Sequence, residues 1–137
     1  MDYPKVIIDT NIVSYVMKGH EIAKLYEKHL NGKLLAITFI TVGELYYGAE
    51  KAAWGEQKRK KLIETLKNYV VIPYDYEIAR HYGVVYAECD RRGKRIPWPD
   101  AWIAACALRH EVQLVTHDAG HFSEIDRLHV VTEYEKK

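Results

Sequence analysis

Short, uninterrupted apolar runs alternate along this chain with segments of helical periodicity, and that alternation constrains the fold more than any other feature. The runs lie at 5–9, 34–38, 70–72 and 113–116, with a fifth candidate at 128–131. They lack the polar alternation of a strand with one wet face, so each suits a strand buried on both sides. Between them the spacing predicts helices over 11–17, 20–30, 41 onward through 49, 54–67, 75–91 and 100–110. Ile78, Tyr82, Val85, Tyr86 and Cys89, for example, fall near one helical stripe. Such strands alternating with helices form a parallel sheet covered by helices on both faces, an α/β architecture. Ligands of such sheets bind outside the carboxyl ends of the strands.

The length, 137 residues, matches a single domain spanning 1–137, since domains cluster at about 100–150 residues. With 48% hydrophobic and 28% charged residues, the composition is that of a globular chain rather than a disordered one. The apolar runs fall far short of the about 20 residues needed to span a bilayer. The start has no basic segment followed by an apolar one, and the two cysteines, Cys89 and Cys106, make no disulfide framework. The expectation is a cytoplasmic, reduced protein without a membrane partner. Both cysteines sit in helical patterns and are expected to be packing residues.

Net charge is only +1, but its distribution is uneven. Residues 51–67 carry Lys51, Lys58, Arg59, Lys60, Lys61 and Lys67 against Glu56 and Glu64, with Trp54 beside them. A second knot, Arg91, Arg92, Lys94 and Arg95, lies just before Trp98. Charge runs are commonly solvated helix faces. Cations next to exposed aromatic rings are also what a single-stranded nucleic acid requires, so Lys58, Arg59, the second knot and Trp98 become candidate RNA contacts.

Four acids occupy chemically suggestive positions. Asp9 closes the first run, Glu44 opens the helix after the second, Asp100 opens the helix before the fourth, and Asp118 follows the fourth. In a parallel sheet all four belong to one edge. Each also has a structural reading. Asp9 can cap a helix, Glu44 can complete a capping box with Thr41, Asp100 can oppose a helix dipole, and Asp118 can be a turn residue. Together they make a costly concentration of like charge, which a hard divalent cation, Mg²⁺ or Mn²⁺, would relieve. The natural substrate of such a site is phosphate.

Four segments carry a resemblance: Ile8-Asp9-Thr10-Asn11, Val42-Gly43-Glu44-Leu45-Tyr46-Tyr47-Gly48-Ala49, Pro99-Asp100-Ala101-Trp102-Ile103-Ala104-Ala105, and Val115-Thr116-His117-Asp118-Ala119-Gly120-His121-Phe122. In this order the chain resembles the PIN-domain ribonucleases, and among them the VapC toxins of type II toxin–antitoxin pairs. The resemblance implies a three-layer α/β/α sandwich around a parallel sheet and metal-dependent endoribonuclease activity. It also implies a homodimer, and a cognate VapB-type antitoxin that inserts a segment into the active-site groove. By position, Asp9, Glu44 and Asp100 match the family's core acids and Asp118 its more variable fourth. Thr10 and Thr116 match hydroxyl positions that orient ligands, with Asn11 as a further polar neighbour. The position of His121 is sometimes an acid in the family, so no metal role is given to it. The stretch Tyr47-Gly48-Ala49-Glu50-Lys51 resembles toxins that cut the anticodon loop of transfer RNA.

The chemistry expected of the four acids is in-line attack on phosphorus by a metal-activated water, leaving 5′-phosphate and 3′-hydroxyl ends. Two rivals exist. One is an inactive RNA- or protein-binding module on the same fold. The other is a phosphatase with Asp9 as nucleophile, against which Asn11 stands where an acid would be wanted. Other signals are weak. His117 and His121 read as loop histidines on the surface, Trp102, Tyr46 and Tyr47 as core or interface residues, and Ser14 and Ser123 lack a nucleophile elbow. Neither a Walker A loop nor a dinucleotide glycine fingerprint is present.

Overall fold

The strands predicted at 5–9, 34–38 and 113–116 lie between two helical layers, which is why those runs do not alternate, whereas 70–72 is an edge strand with Val70 and Val71 exposed. The computed structural model describes residues 4–134. In chain order the elements are β1 (Lys5–Ile8), α1 (Thr10–Lys18), α2 (Glu21–Leu30), β2 (Leu34–Thr38), α3 (Phe39–Lys51), α4 (Glu56–Leu66) and β3 (Val70–Ile72). There follow α5 (Tyr76–Arg91), α6 (Trp98–His110), β4 (Gln113–Val115), a 3₁₀ turn (Ala119–Phe122) and β5 (Val130–Val131). The sheet order is β3-β2-β1-β4-β5, with every pairing parallel.

Side chains of one strand point alternately into the two cores. Val6, Ile8, Ile37 and Val115 pack with Ile12, Val13 and Met17 of α1, Tyr26 of α2, Leu45 of α3 and Leu62 of α4. Ile7, Ala36, Ile72 and Leu114 pack on the other side with Ile78, Val85 and Cys89 of α5, and with Ile103, Ala104 and Ala107 of α6. Both cysteines are buried and free, as expected of packing residues. Among the described residues no helix is long and apolar enough to cross a membrane.

Register places the strand ends level. Ile8 pairs with Val115, and Thr38 with Ile72. The chain leaves β1 toward β2 on one side and enters β4 on the other, so the sheet's switch point lies between β1 and β4. There, in sheets of this kind, a crevice opens at the carboxyl ends. Asp9 and Thr116, the residues just past these two strands, face it.

Several helix starts differ from the sequence expectation. α3 begins at Phe39 rather than Thr41, because Thr38 both ends β2 and caps the helix, accepting the Thr41 N–H at 3.1 Å. α6 begins at Trp98 rather than Asp100, because Pro99 falls in the first turn, where a missing N–H costs nothing. α4 starts at Glu56 after Gly55. His20 and Asp75 cap α2 and α5 from just outside them, accepting backbone N–H bonds at 3.1 and 2.8 Å.

Candidate active site

Asp9 follows β1 and caps α1, so its structural reading is correct as far as it goes. Its Oδ1 accepts the Thr10 N–H at 2.7 Å, and its Oδ2 accepts the Thr116 hydroxyl at 2.7 Å. Thr116 is fully buried, and its oxygen also accepts the Asp118 N–H at 3.0 Å, with the Asn11 amide at 3.4 Å. That hydroxyl thus uses its one proton and both lone pairs. The Asn11 carbonyl accepts the His117 N–H at 3.3 Å. Thr10, Asn11 and Thr116 therefore fix the loop after β4 against the start of α1.

Glu44 does not close a capping box. Thr38 is the cap of α3, and Glu44 sits in the second turn. Its Oε1 accepts the Thr10 hydroxyl at 2.8 Å, and that hydroxyl lies 3.0 Å from Thr41 Oγ. Asp100 stands in the first turn of α6, and Asp118 in the turn leaving β4. His121, at the end of the 3₁₀ turn, brings its Nδ1 to 2.8 Å from Asp100 Oδ2 and 3.1 Å from Asp118 Oδ2.

The four acids line a single cleft of about 780 Å³. Among the described residues none of them ion-pairs with a Lys or Arg, and the only partner with a chargeable nitrogen is His121. Asp9 is 5% exposed. Burial pushes its carboxyl up to about 6, and the charges of Asp100 and Glu44 add to this, against the Thr116 and Thr10 bonds. Asp100 is raised as well, first by burial and then by Glu44 and Asp118, while His121 opposes the shift. An acceptor-only set of hard oxygens held at uncompensated negative potential fits a divalent cation. Among the described residues no three acid, histidine or cysteine donors already converge as a closed cage.

The basic candidates divide. Lys58 lines the cleft, 5.8 Å over the Trp54 ring, and Lys18 joins it there. Arg59 is engaged at the surface instead, donating to the Trp54 carbonyl at 2.7 Å and to Glu50 at 2.5 Å. Arg92 donates to the Glu124 carbonyl at 2.5 Å and to Asp126 at 3.2 Å, and Lys94 pairs with Glu124 at 3.3 Å. These two brace the turn between α5 and α6 against the loop after the 3₁₀ turn. None of Arg91, Arg92, Lys94 or Arg95 lines the cleft. Trp98, 57% exposed, lines a neighbouring apolar slot with Phe39 and Tyr47, which meets the acid cleft at Glu44 and Pro99.

Of the two loop histidines, His117 departs from the surface reading, while His121 is exposed but faces the acids. His117 is bound at Nδ1 by the Tyr26 hydroxyl (2.5 Å) and meets Tyr15, Tyr26 and Tyr134 edge-on. His121 belongs to the acid cleft. Its spacing of three from Asp118 was the available signal, but the link to Asp100 spans 21 residues and no local pattern carries it.

The PIN domain model matches residues 6–128. The chain belongs to the PIN-domain family. It is 34% identical over 121 residues to ribonuclease VapC2 of Haemophilus influenzae, covering 88% of this chain and 92% of that one. It is 29% identical over 124 residues to a tRNA(fMet)-specific endonuclease VapC of Shigella flexneri, covering 90% and 94%. Among solved structures, VapBC2 of Rickettsia felis bound to a promoter DNA fragment superposes with a TM-score of 0.83 at 27% identity, covering 93% and 98% of the two chains. VapBC-1 of nontypeable Haemophilus influenzae gives 0.81 at 30% identity, covering 93% and 97%. Within the PIN-domain family, then, this chain groups with the VapC ribonucleases, and its parallel sheet between helical layers is the PIN fold.

Proposed function

We propose that this VapC-family chain is a divalent-metal-dependent endoribonuclease toxin that cuts transfer RNA in the anticodon loop, leaving 5′-phosphate and 3′-hydroxyl ends. The observation that carries the reading is Asp9, a buried carboxylate raised to about 6 among three further acids that no Lys or Arg neutralises among the described residues. Carboxylates perturbed in this way concentrate at functional sites. Asp9, Glu44, Asp100 and Asp118 would hold Mg²⁺ or Mn²⁺, which when bound supplies an activated water and stabilises charge on the scissile phosphate.

The rest is done by the chain's own groups. Thr116 and the Thr10 N–H aim Asp9, and the Thr10 hydroxyl aims Glu44. Lys18 and Lys58 on the cleft wall attract the phosphates flanking the scissile bond. Trp98 and Tyr47 offer exposed faces beside Glu44 for an unstacked base. The tRNA reading draws support from the Shigella relative's stated substrate and from the stretch 47–51.

A VapB-type antitoxin is the expected regulator, because the similar solved structures are VapBC complexes. Met17, Leu45 and Trp54 give the cleft an apolar wall beside its acids, which suits a peptide with apolar and cationic side chains. A homodimer would cover the aromatic face formed by Phe39 and the stacked Tyr82–Trp102 pair. The phosphatase reading loses ground, since Asn11 is spent on the Thr116 and His117 bonds.

End-labelled transfer RNA incubated with Mn²⁺, Mg²⁺ or EDTA, with Asp9→Asn in parallel, tests the reading. Discrete 5′-phosphate fragments lost in EDTA and in the variant are expected. Cleavage undiminished in Asp9→Asn overturns the site. Cleavage of other RNAs but not of transfer RNA overturns the substrate alone.

A further inference from the structure

Each of the four acids has a polar partner, and the partners differ: three accept hydrogen bonds and Asp118 has an ion-pair contact. Asp9 is held by a backbone N–H and a hydroxyl, and Glu44 by a hydroxyl, all carried by residues next to the strand ends. Asp100 and Asp118 share one partner, the His121 imidazole, whose Nδ1 hydrogen-bonds Asp100 Oδ2 at 2.8 Å and lies 3.1 Å from Asp118 Oδ2 as an ion-pair contact. Among the described residues no hydrogen bond reaches the Oδ1 atom of either carboxylate.

We propose that His121 is a positioning residue that clasps Asp100 and Asp118 by one oxygen apiece and leaves the other oxygen of each for a divalent cation. This rests on the acid-site reading above. The two carboxylates belong to different elements, α6 and the turn after β4, and repel each other, which the shared imidazole between them offsets. The clasp is built rather than incidental. The 3₁₀ turn carrying His121 is pinned by Phe122, which is almost fully buried in the core beside α6, and the His121 N–H donates to the Asp118 carbonyl at 3.1 Å. The ring is thereby kept over the cleft although His121 is 47% exposed. Partners that orient metal-binding carboxylates typically change metal affinity about 10–100-fold when removed.

The test is Mn²⁺ affinity of the full chain by calorimetry without RNA, for wild type, His121→Ala and His121→Gln. Alanine is expected to weaken Mn²⁺ binding about 10–100-fold, while glutamine, whose amide N–H can still donate, regains part of the loss. The melting temperature without metal should change little. Cleavage by His121→Ala should return toward the wild-type kcat as Mn²⁺ is raised, a shift in metal requirement rather than in maximal rate. Unchanged Mn²⁺ affinity in His121→Ala overturns the proposal. So does nitrogen coupling to Mn²⁺ in the wild-type electron spin resonance spectrum, which would make the imidazole a ligand. Absence of Mn²⁺ binding by wild type overturns the acid-site reading itself, and the clasp with it.

Discussion

At Asp9 one carboxylate caps α1 and faces the acid cleft, and burial leaves it with a pKa of about 6 against an ordinary 3.8. A raised acid pKa means that the folded state holds the proton more tightly than the unfolded chain. The resulting stability is fully present below about 3.8 and is lost as pH climbs through 6. A shift of this size corresponds to about 3 kcal/mol across the window. In EDTA, stability should therefore fall between pH 4 and 6 more steeply in wild type than in Asp9→Asn. Asp100 is raised too and reinforces the trend, whereas the partly buried Asp75 and Glu133 are lowered and act in the opposite sense. The difference between wild type and Asp9→Asn, followed by urea melts along the pH series, isolates the Asp9 contribution. Parallel curves would mean that Asp9 is not desolvated.

At the level of elements, α3 depends on a single hydroxyl at its start. Thr38 is fully buried, accepts the Thr41 N–H and touches the Thr41 hydroxyl at 3.5 Å. Thr38→Ala should cost about 1–2 kcal/mol in urea unfolding, and Thr38→Ser should recover most of it. A loss equal in both variants would assign the effect to β2 packing instead. The same residue explains what the sequence revealed and what it hid. Strand runs such as 34–38 are legible because a strand buried on both faces is continuously apolar. The start of α3 was hidden because Thr38 serves strand and cap at once, leaving no turn residues to mark the boundary. Asp9, Glu44, Asp100 and Asp118 were legible as a set because parallel strands deliver their carboxyl ends to one edge. The pairing of Arg59 with Glu50 and the contacts of His121 with Asp100 and Asp118 were not, because both depend on groups brought together by packing.

For the molecule as a whole, a net charge of +1 gives almost no long-range attraction for RNA, so binding must rest on the few cations that face the cleft. Lys18 and Lys58 line it beside the acids, while Arg92 and Lys94 are already engaged with Asp126 and Glu124. The two groups should behave differently when RNA binding is followed against salt. Asp9→Asn in EDTA is the right background, since the RNA then stays intact while the cleft keeps its shape. Each phosphate contact on a single strand adds about 0.7 to the slope of log affinity against log salt. Lys58→Ala in that background should weaken binding and flatten the slope by about this amount. Arg92→Ala should leave the slope unchanged, because its guanidinium neutralises the chain's own carboxylates rather than phosphates. If Arg92→Ala flattens the slope and Lys58→Ala does not, the RNA path runs over the turn between α5 and α6 and not along the wall formed by α1 and α4. The acids would then be approached from the Trp98 side of the cleft.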